Sequence, residues 1–422
     1  MIPRPDLLDT TLPSGLEVFQ LTHEAGVPAS HLYMEAQIFA PDSSRFLLHR
    51  SAHSHGSDKD DPEHRYLLCD LADNGRLTPV TDEIGATAPS VTPDGRFFYY
   101  FQNETEPGRG RLTLKRRYLD GTAPETILVL DKPLPGTRFR VSRPYPLSTI
   151  SSDGKRVALP CFLGDGHTDG APWGLLVFDV EAADVSLILH GVSWCNLHPQ
   201  YCRSLDPTMS HDILIQENHG NVCGADGQVT RLVQGRGADI HVIRDDGMNF
   251  RDLPWGRDGN EFCQGHQCWR GRSGWAITST GKNDVKENQL IEGLPCQGVD
   301  HDGLTTPGGM RNDLTREWPA PKFYHFATDL AGERFITDVG PSGPEGGVAF
   351  GILGEPGKDP LRLRRLLTAR GTWLKSTHLH PFLSPDGRTG FFNSDESGLL
   401  QAYMIRGLDS VKIPTGYSDS PT

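Results

Sequence analysis

Reading back seven residues from the turn that recurs along the chain reaches His198, His266, His325 and His380. The same step in the first three repeats reaches Ala36, Ala88 and Leu147. A neutral imidazole can ligate a divalent metal, and its titration near neutral pH lets it carry a proton. His378 stands two residues before His380. Strand residues two apart point to the same side, so this pair and His325 from the preceding repeat could converge on one metal ion. Three nitrogen donors suit Mn, Zn, Fe or Ni alike. His198 and His266 have no such duplicate, which suits contact with a substrate or proton transfer better than ligation. The alternative, four isolated inner-strand histidines each bonded to a backbone carbonyl, remains open at this level.

The elements that would position these residues are short strand pairs joined by Ser/Thr-Pro-Asp-Gly turns. Thr92-Pro93-Asp94-Gly95 and Ser384-Pro385-Asp386-Gly387 are the plainest copies. Weaker ones begin at Ala40, Ser151, Asp206 and Asp329, and a seventh, at Arg270–Ser273, keeps only its flanking tryptophans. Proline presets one central φ, while Asp and Gly tolerate the dihedrals of a tight hairpin. Turns about 52 to 66 residues apart leave room for one four-stranded blade each. Residues 1–422 therefore read as a single all-β domain, a seven-bladed β-propeller. Its N-terminal segment Leu16–Leu21 is expected to close the last blade as an outer strand. The interval 281–318 shows no clear strand and reads as a long insertion loop near the mouth of the active site.

A formal net charge of −13 argues against a nucleic-acid or anionic-membrane partner. The N-terminus lacks the charge and apolar run of a signal peptide, and no stretch reaches the roughly 18 apolar residues of a membrane span. A cytoplasmic location is the expectation. The eight cysteines include no CxxC pair, so buried thiols are expected, with one or two disulfides as the alternative. His211, His219 and His241 flank outer strands and read as packing or solvent-facing groups. His49, His53 and His55 read as loop residues, and the acidic run at Asp58–Asp61 as solvated surface. No GxSxG elbow, HExxH helix or phosphate-cradling loop is present.

With its ordered histidine motifs, the chain resembles the oligogalacturonate lyase family of cytoplasmic seven-bladed propellers. The resemblance runs from Gly15–Leu21 and His31-Leu32-Tyr33 through His198-Pro199-Gln200 and His266–Trp269. It continues in Tyr324-His325-Phe326 and ends in His378-Leu379-His380-Pro381 and Asn393-Ser394-Asp395. It implies a manganese ion on His325, His378 and His380, with a glutamine as fourth ligand three residues before the His-x-His pair. Lys375 occupies that position. An ammonium cannot ligate, so the fourth ligand is water, substrate or a group from elsewhere, or the metal site is altered; Lys375 is assigned instead to a substrate carboxylate. The resemblance also implies a catalytic histidine at His266 and an arginine on the strand before it; Arg236 and Arg244 are nearby but out of register.

The implied reaction suits these groups. Elimination of the 4-O substituent of a uronide begins with loss of the weakly acidic C5 proton. A divalent cation on the C6 carboxylate stabilises the charge that develops, and His266 is placed to take the proton. His198 is assigned to the substrate side, where it or water protonates the leaving oxygen. An acidic oligosaccharide is thus the expected partner, the cation offsetting the chain's own negative field. Two alternatives stand beside this: a lyase for a different, glucuronate-containing oligosaccharide, and a non-catalytic binding or scaffold propeller. The last predicts no metal and indifference to loss of His325 or His380.

Overall fold

The computed structural model describes residues 1–12, 15–50, 64–231, 238–255, 261–282, 285–296, 310–339, 346–369 and 378–414. Seven antiparallel sheets follow one another along the chain, each running from an inner strand to an outer one, as in a seven-bladed propeller. Blade 1 holds Ala29–His31, Arg45–Arg50, Arg65–Asp70 and Arg76–Pro79; blade 2 holds Ala86–Val91, Phe97–Glu106, Arg109–Tyr118 and Glu125–Leu130. In blade 3 the inner strand comes in two pieces, Arg143–Pro144 and Thr149–Ile150, both paired with Arg156–Phe162. Blade 4 runs from Gln200–Tyr201 through Asp212–Glu217 and Asp239–Arg244 to Arg251–Asp252, with a small hairpin, Val222–Cys223 and Val229–Arg231, inserted at one end.

The recurring turn works through its acid. In blade 2 the Thr92 hydroxyl donates to Asp94 Oδ1 at 2.6 Å, the Arg96 amide donates to the same oxygen at 3.0 Å, and Gly95 takes φ +68°. Ser384, Asp386 and Gly387 repeat this in blade 7, with Gly387 at φ +69°. A Cβ on Gly95 would meet Pro41 Cδ of the neighbouring blade at 2.5 Å, so the glycine serves blade packing as well as the turn.

The N-terminal strand closes the ring. Glu17–Gln20 pairs antiparallel with Gln401–Arg406, placing it outside Phe382–Leu383, Gly390–Ser394 and Gln401–Arg406 in blade 7, and Ile2–Pro3 adds a fifth strand beyond it. Leu16, Val18 and Leu21 are buried there, at roughly 1.5–3 kcal/mol each for side chains of this kind. Further in, the His31 amide donates to Asn393 Oδ1 at 2.8 Å, so blades 1 and 7 are also stitched at the inner strands.

The interval 281–318 departs from the expectation of a strandless loop. Val285–Gly293 pairs with Ala276–Lys282, and Arg311–Asp313 pairs with Val285–Gly293; with Glu261–Trp269 these complete blade 5. Polar residues hid these strands: Asn288 and Glu292 are buried and bonded, which an apolar-periodicity criterion misses. Of that interval, 283–284 and 297–309 lie outside the described residues. Blade 6 comprises Phe326–Thr328, Arg334–Val339, Gly347–Ile352 and Arg362–Thr368. All eight cysteines are free, and seven are buried.

Candidate metal and catalytic centre

The histidine register coincides with a break in the inner strands. In blade 2 the ladder is continuous to Thr87 and resumes at Ser90; in blade 5 it stops at Cys263 and resumes at Gln267. Ala88, His198 and His380 take φ of +50°, +45° and +41°, and Gly265, just before His266, takes +85°. Each of the three non-glycine residues precedes a proline: Pro89, Pro199 and Pro381. A following proline disfavours the right-handed helical region, and a left-handed backbone here turns the residue out of the ladder. Such strain persists where surrounding structure enforces it, and it clusters at functional sites. His378 and His380 are therefore not neighbours on a regular strand, as their spacing suggested; pairing in blade 7 begins only at Phe382.

The outcome is nonetheless convergence. Ring centroids lie 4.4 Å apart for His325 and His380, 5.0 Å for His378 and His380, and 5.3 Å for His325 and His378. One nitrogen from each falls within 4.8 Å of the others. His325 and His380 are fully buried, while His378 is partly exposed. Asp338, on the second strand of blade 6, accepts from the His325 amide at 2.9 Å and meets its Nδ1 at 2.6 Å. A carboxylate on Nδ1 fixes the tautomer and aims Nε2 inward, the usual support of a ligating imidazole. The donor set therefore fits a divalent transition metal. His266 approaches from blade 5, its ring 4.5 Å from that of His325.

His198 sits in a different network. Its Nδ1 lies 3.1 Å from Glu35 Oε2, and its Nε2 lies 3.0 Å from the Tyr145 hydroxyl and 3.1 Å from Asn196 Oδ1. The Tyr145 hydroxyl itself donates to Asn196 at 2.7 Å, so two oxygens face Nε2 as acceptors and it carries a proton. Burial raises the Glu35 carboxyl, against the opposing pull of His198. Tyr33 connects the two networks, its ring 5.1 Å from His198 and 4.8 Å from His380.

Sequence reasoning missed Tyr33 as a site residue, Glu35, Tyr145, Asn196 and Asp338. Glu35 left a signal: it is a lone carboxylate in the apolar run Leu32–Ala36, one residue before the ring position. Asp338 left none, since its role depends on cross-strand pairing. His31, quoted in the resemblance, is structural; its Nε2 bonds the Tyr403 carbonyl at 2.8 Å and burial depresses it to about 3. His49 is no loop residue but a buried member of Arg45–Arg50, bonded to Ser30 at 3.0 Å. His53 and His55 lie outside the described residues, as do Lys375 and Arg236. Arg244 bonds the Thr208 carbonyl at the turn end of blade 4, away from the histidines.

Among the described residues, two cavities share Ala36. A small one, about 30 Å³, is lined by Tyr33, Tyr145, Leu147 and His198. A larger one, about 180 Å³, opens among the turns beside Arg203 and Arg272 and contains none of the histidines.

No protein-family model matches the chain, and no curated protein matches it in sequence. Solved structures do. An oligogalacturonate lyase in complex with manganese superposes with a TM-score of 0.67 at 17% identity, covering 98% of this chain and 97% of the other. An oligogalacturonate lyase from Vibrio parahaemolyticus gives 0.65 at 16%, over 98% and 99%. A xyloglucanase from Xanthomonas campestris gives 0.52 at 14%, over 94% of this chain and 55% of that one. The chain thus has the seven-bladed fold of the oligogalacturonate lyases along nearly its whole length.

Proposed function

We propose that the chain is a divalent-metal-dependent lyase that cleaves oligogalacturonate or a related uronic-acid oligosaccharide by β-elimination, leaving a 4,5-unsaturated uronide. The observation that carries this reading is the meeting of His325, His378 and His380 within ligating distance, with His266 beside them. Manganese is named because one similar structure is a lyase in complex with that metal. A cytoplasmic setting belongs to the same proposal; no helix among the described residues is long and apolar enough to cross a membrane.

The bound cation would supply charge neutralisation at the C6 carboxylate. His266, packed against His325, takes the proton from C5. The electron pair moves to form the C4–C5 double bond and the 4-O substituent leaves. His198, linked to His380 through Tyr33, is assigned to return a proton to that oxygen, with Glu35 compensating the charge on its far side. Tyr33 holds His198 and His380 in register through ring contacts. Lys375 is assigned in this reading to a second carboxylate of the substrate.

Metal-loaded protein incubated with short galacturonides is expected to develop the near-UV absorbance of an unsaturated uronide, and chelator should suppress it. Absence of product from galacturonides and glucuronate-containing fragments alike, with metal bound, would refute the lyase. His266→Ala should keep its metal and lose about 100-fold in kcat, within the usual contribution of a general base. An unchanged kcat would remove His266 from proton transfer.

A further inference from the structure

We propose that blade 4 carries a second metal site, for a divalent cation of the zinc type, built from Glu217, Asp239 and His241, one ligand atom of each lying within 4.8 Å of the others. Glu217 closes the second strand and pairs with Asp239 at the start of the third; His241 follows two residues on. Cross-strand partners and residues two apart share a face, so these three side chains project together. Ile215, on the same face, packs with Trp173 and Trp194, so the cluster looks toward blade 3 and not into the channel. It is independent of the centre described above.

His219 is partly exposed and His241 is packed against Trp194 and Phe250, as expected of solvent-facing and packing groups; the proposal gives His241 a ligand's role in addition. His241 is buried, and its Nδ1 meets Asp252 Oδ1 at 2.7 Å. Its Nε2, also buried, makes no hydrogen bond and faces Glu217 Oε2 across 3.4 Å. A carboxylate on one ring nitrogen and an aimed, unbonded second nitrogen is how proteins present a ligating histidine. At the rim, His219 Nε2 is hydrogen-bonded to Asp239 Oδ2 at 2.8 Å and lies 3.3 Å from Glu217 Oε2. Donors about 2.0–2.1 Å from a tetrahedral zinc stand about 3.3 Å from one another, close to the 3.4 Å between His241 Nε2 and Glu217 Oε2.

Charge points the same way. Glu217, Asp239 and Asp252 bring three negative charges around two imidazoles, and His241 lies between two carboxylates, an arrangement that calls for a proton or a metal cation at Nε2. A dication on neutral imidazoles removes most of the excess. Trp194 and Phe250 flank the His241 ring at 5.8 and 4.7 Å and shield it on two sides. The ion would anchor the chain where it leaves Glu217 for the hairpin Val222–Arg231.

Chelator-stripped full-length protein, reloaded with Zn2+ and freed of excess, should hold two ions per chain by elemental analysis. His325→Ala should keep one and His241→Ala should keep one. The double variant should keep none. Should the histidine triad not bind metal at all, the wild type would hold one ion that His241→Ala loses and His325→Ala retains, so the two readings fail separately. A zinc content unaffected by His241→Ala, with a native near-UV dichroism spectrum, would overturn the site. If His241→Ala does not fold, Asp239→Asn decides: it should weaken this Zn2+ by at least tenfold in calorimetric titration, and an unchanged affinity would overturn the proposal equally.

Discussion

His325→Ala is expected to lose bound manganese and to lower kcat/KM on oligouronides by about a thousandfold or more, since both charge neutralisation and substrate orientation depend on the ion. The substitution removes the most central of three rings, the one in contact with His266, His378 and His380. Simple truncation also strips Asp338 of a partner, and a change in folding could imitate loss of metal. Asp338→Asn separates the two. The asparagine oxygen can still accept from the His325 amide, as Asp338 Oδ1 now does at 2.9 Å. Its NH2 would then face Nδ1, now 2.6 Å from Oδ2. A donor there forces the imidazole proton onto Nε2, the nitrogen aimed into the cluster. Metal affinity should fall by about 10–100-fold with no loss of stability comparable to that of a cavity. Elemental analysis of gel-filtered protein and titration with Mn2+ provide the readings. Full occupancy in His325→Ala would refute the ligand set, and unaltered affinity in Asp338→Asn would refute the tautomer argument.

Asp338 also shows where sequence reading ends. The turns were legible because each is a local device: Asp94 and Asp386 bond amides two residues on, so their signature is contiguous. The closing strand was legible because the segment Leu16–Leu21 stands ahead of the first repeat and needed a sheet to join. The ring of histidines was legible because every blade is read from its own turn. What failed was whatever depended on a neighbour across a sheet. Asp338 reaches His325 from 13 residues away, and Glu35 reaches His198 from 163 residues away. Blade 5 was half-missed because its third strand buries Asn288 and Glu292, polar groups whose partners lie on other strands. The left-handed bends at Ala88, His198 and His380 were marked by the following prolines, but an x-Pro pair reads locally as extended chain and not as a break that turns a side chain into a channel.

Glu292 supports the second large effect, on stability. It is fully buried on the third strand of blade 5, and its Oε2 accepts from Arg270 Nη1 at 2.6 Å. Its Oε1 accepts from Asn312 Nδ2 and from the Gly357 amide, each at 2.8 Å. Arg270 in turn donates from Nε to the Gly332 carbonyl at 3.0 Å and from Nη2 to the Gly354 carbonyl. Both carbonyls belong to blade 6, so one buried ion pair fastens the blades that carry His266 and His325. Glu292→Gln preserves shape but cannot serve both sides: with its amide toward Arg270 two donors collide, and flipped it leaves Asn312 and Gly357 without an acceptor. Breaking a buried pair costs about 3–5 kcal/mol, a large part of the roughly 5–15 kcal/mol that holds a typical domain. Denaturant titration should show that loss. Arg270→Met combined with Glu292→Leu should recover only part of it, because the buried Asn312 amide, the Gly357 amide and two carbonyls remain orphaned even when the charges are gone. A Glu292→Gln cost below about 1 kcal/mol would mean that water enters between blades 5 and 6 and that the pair is not what joins them.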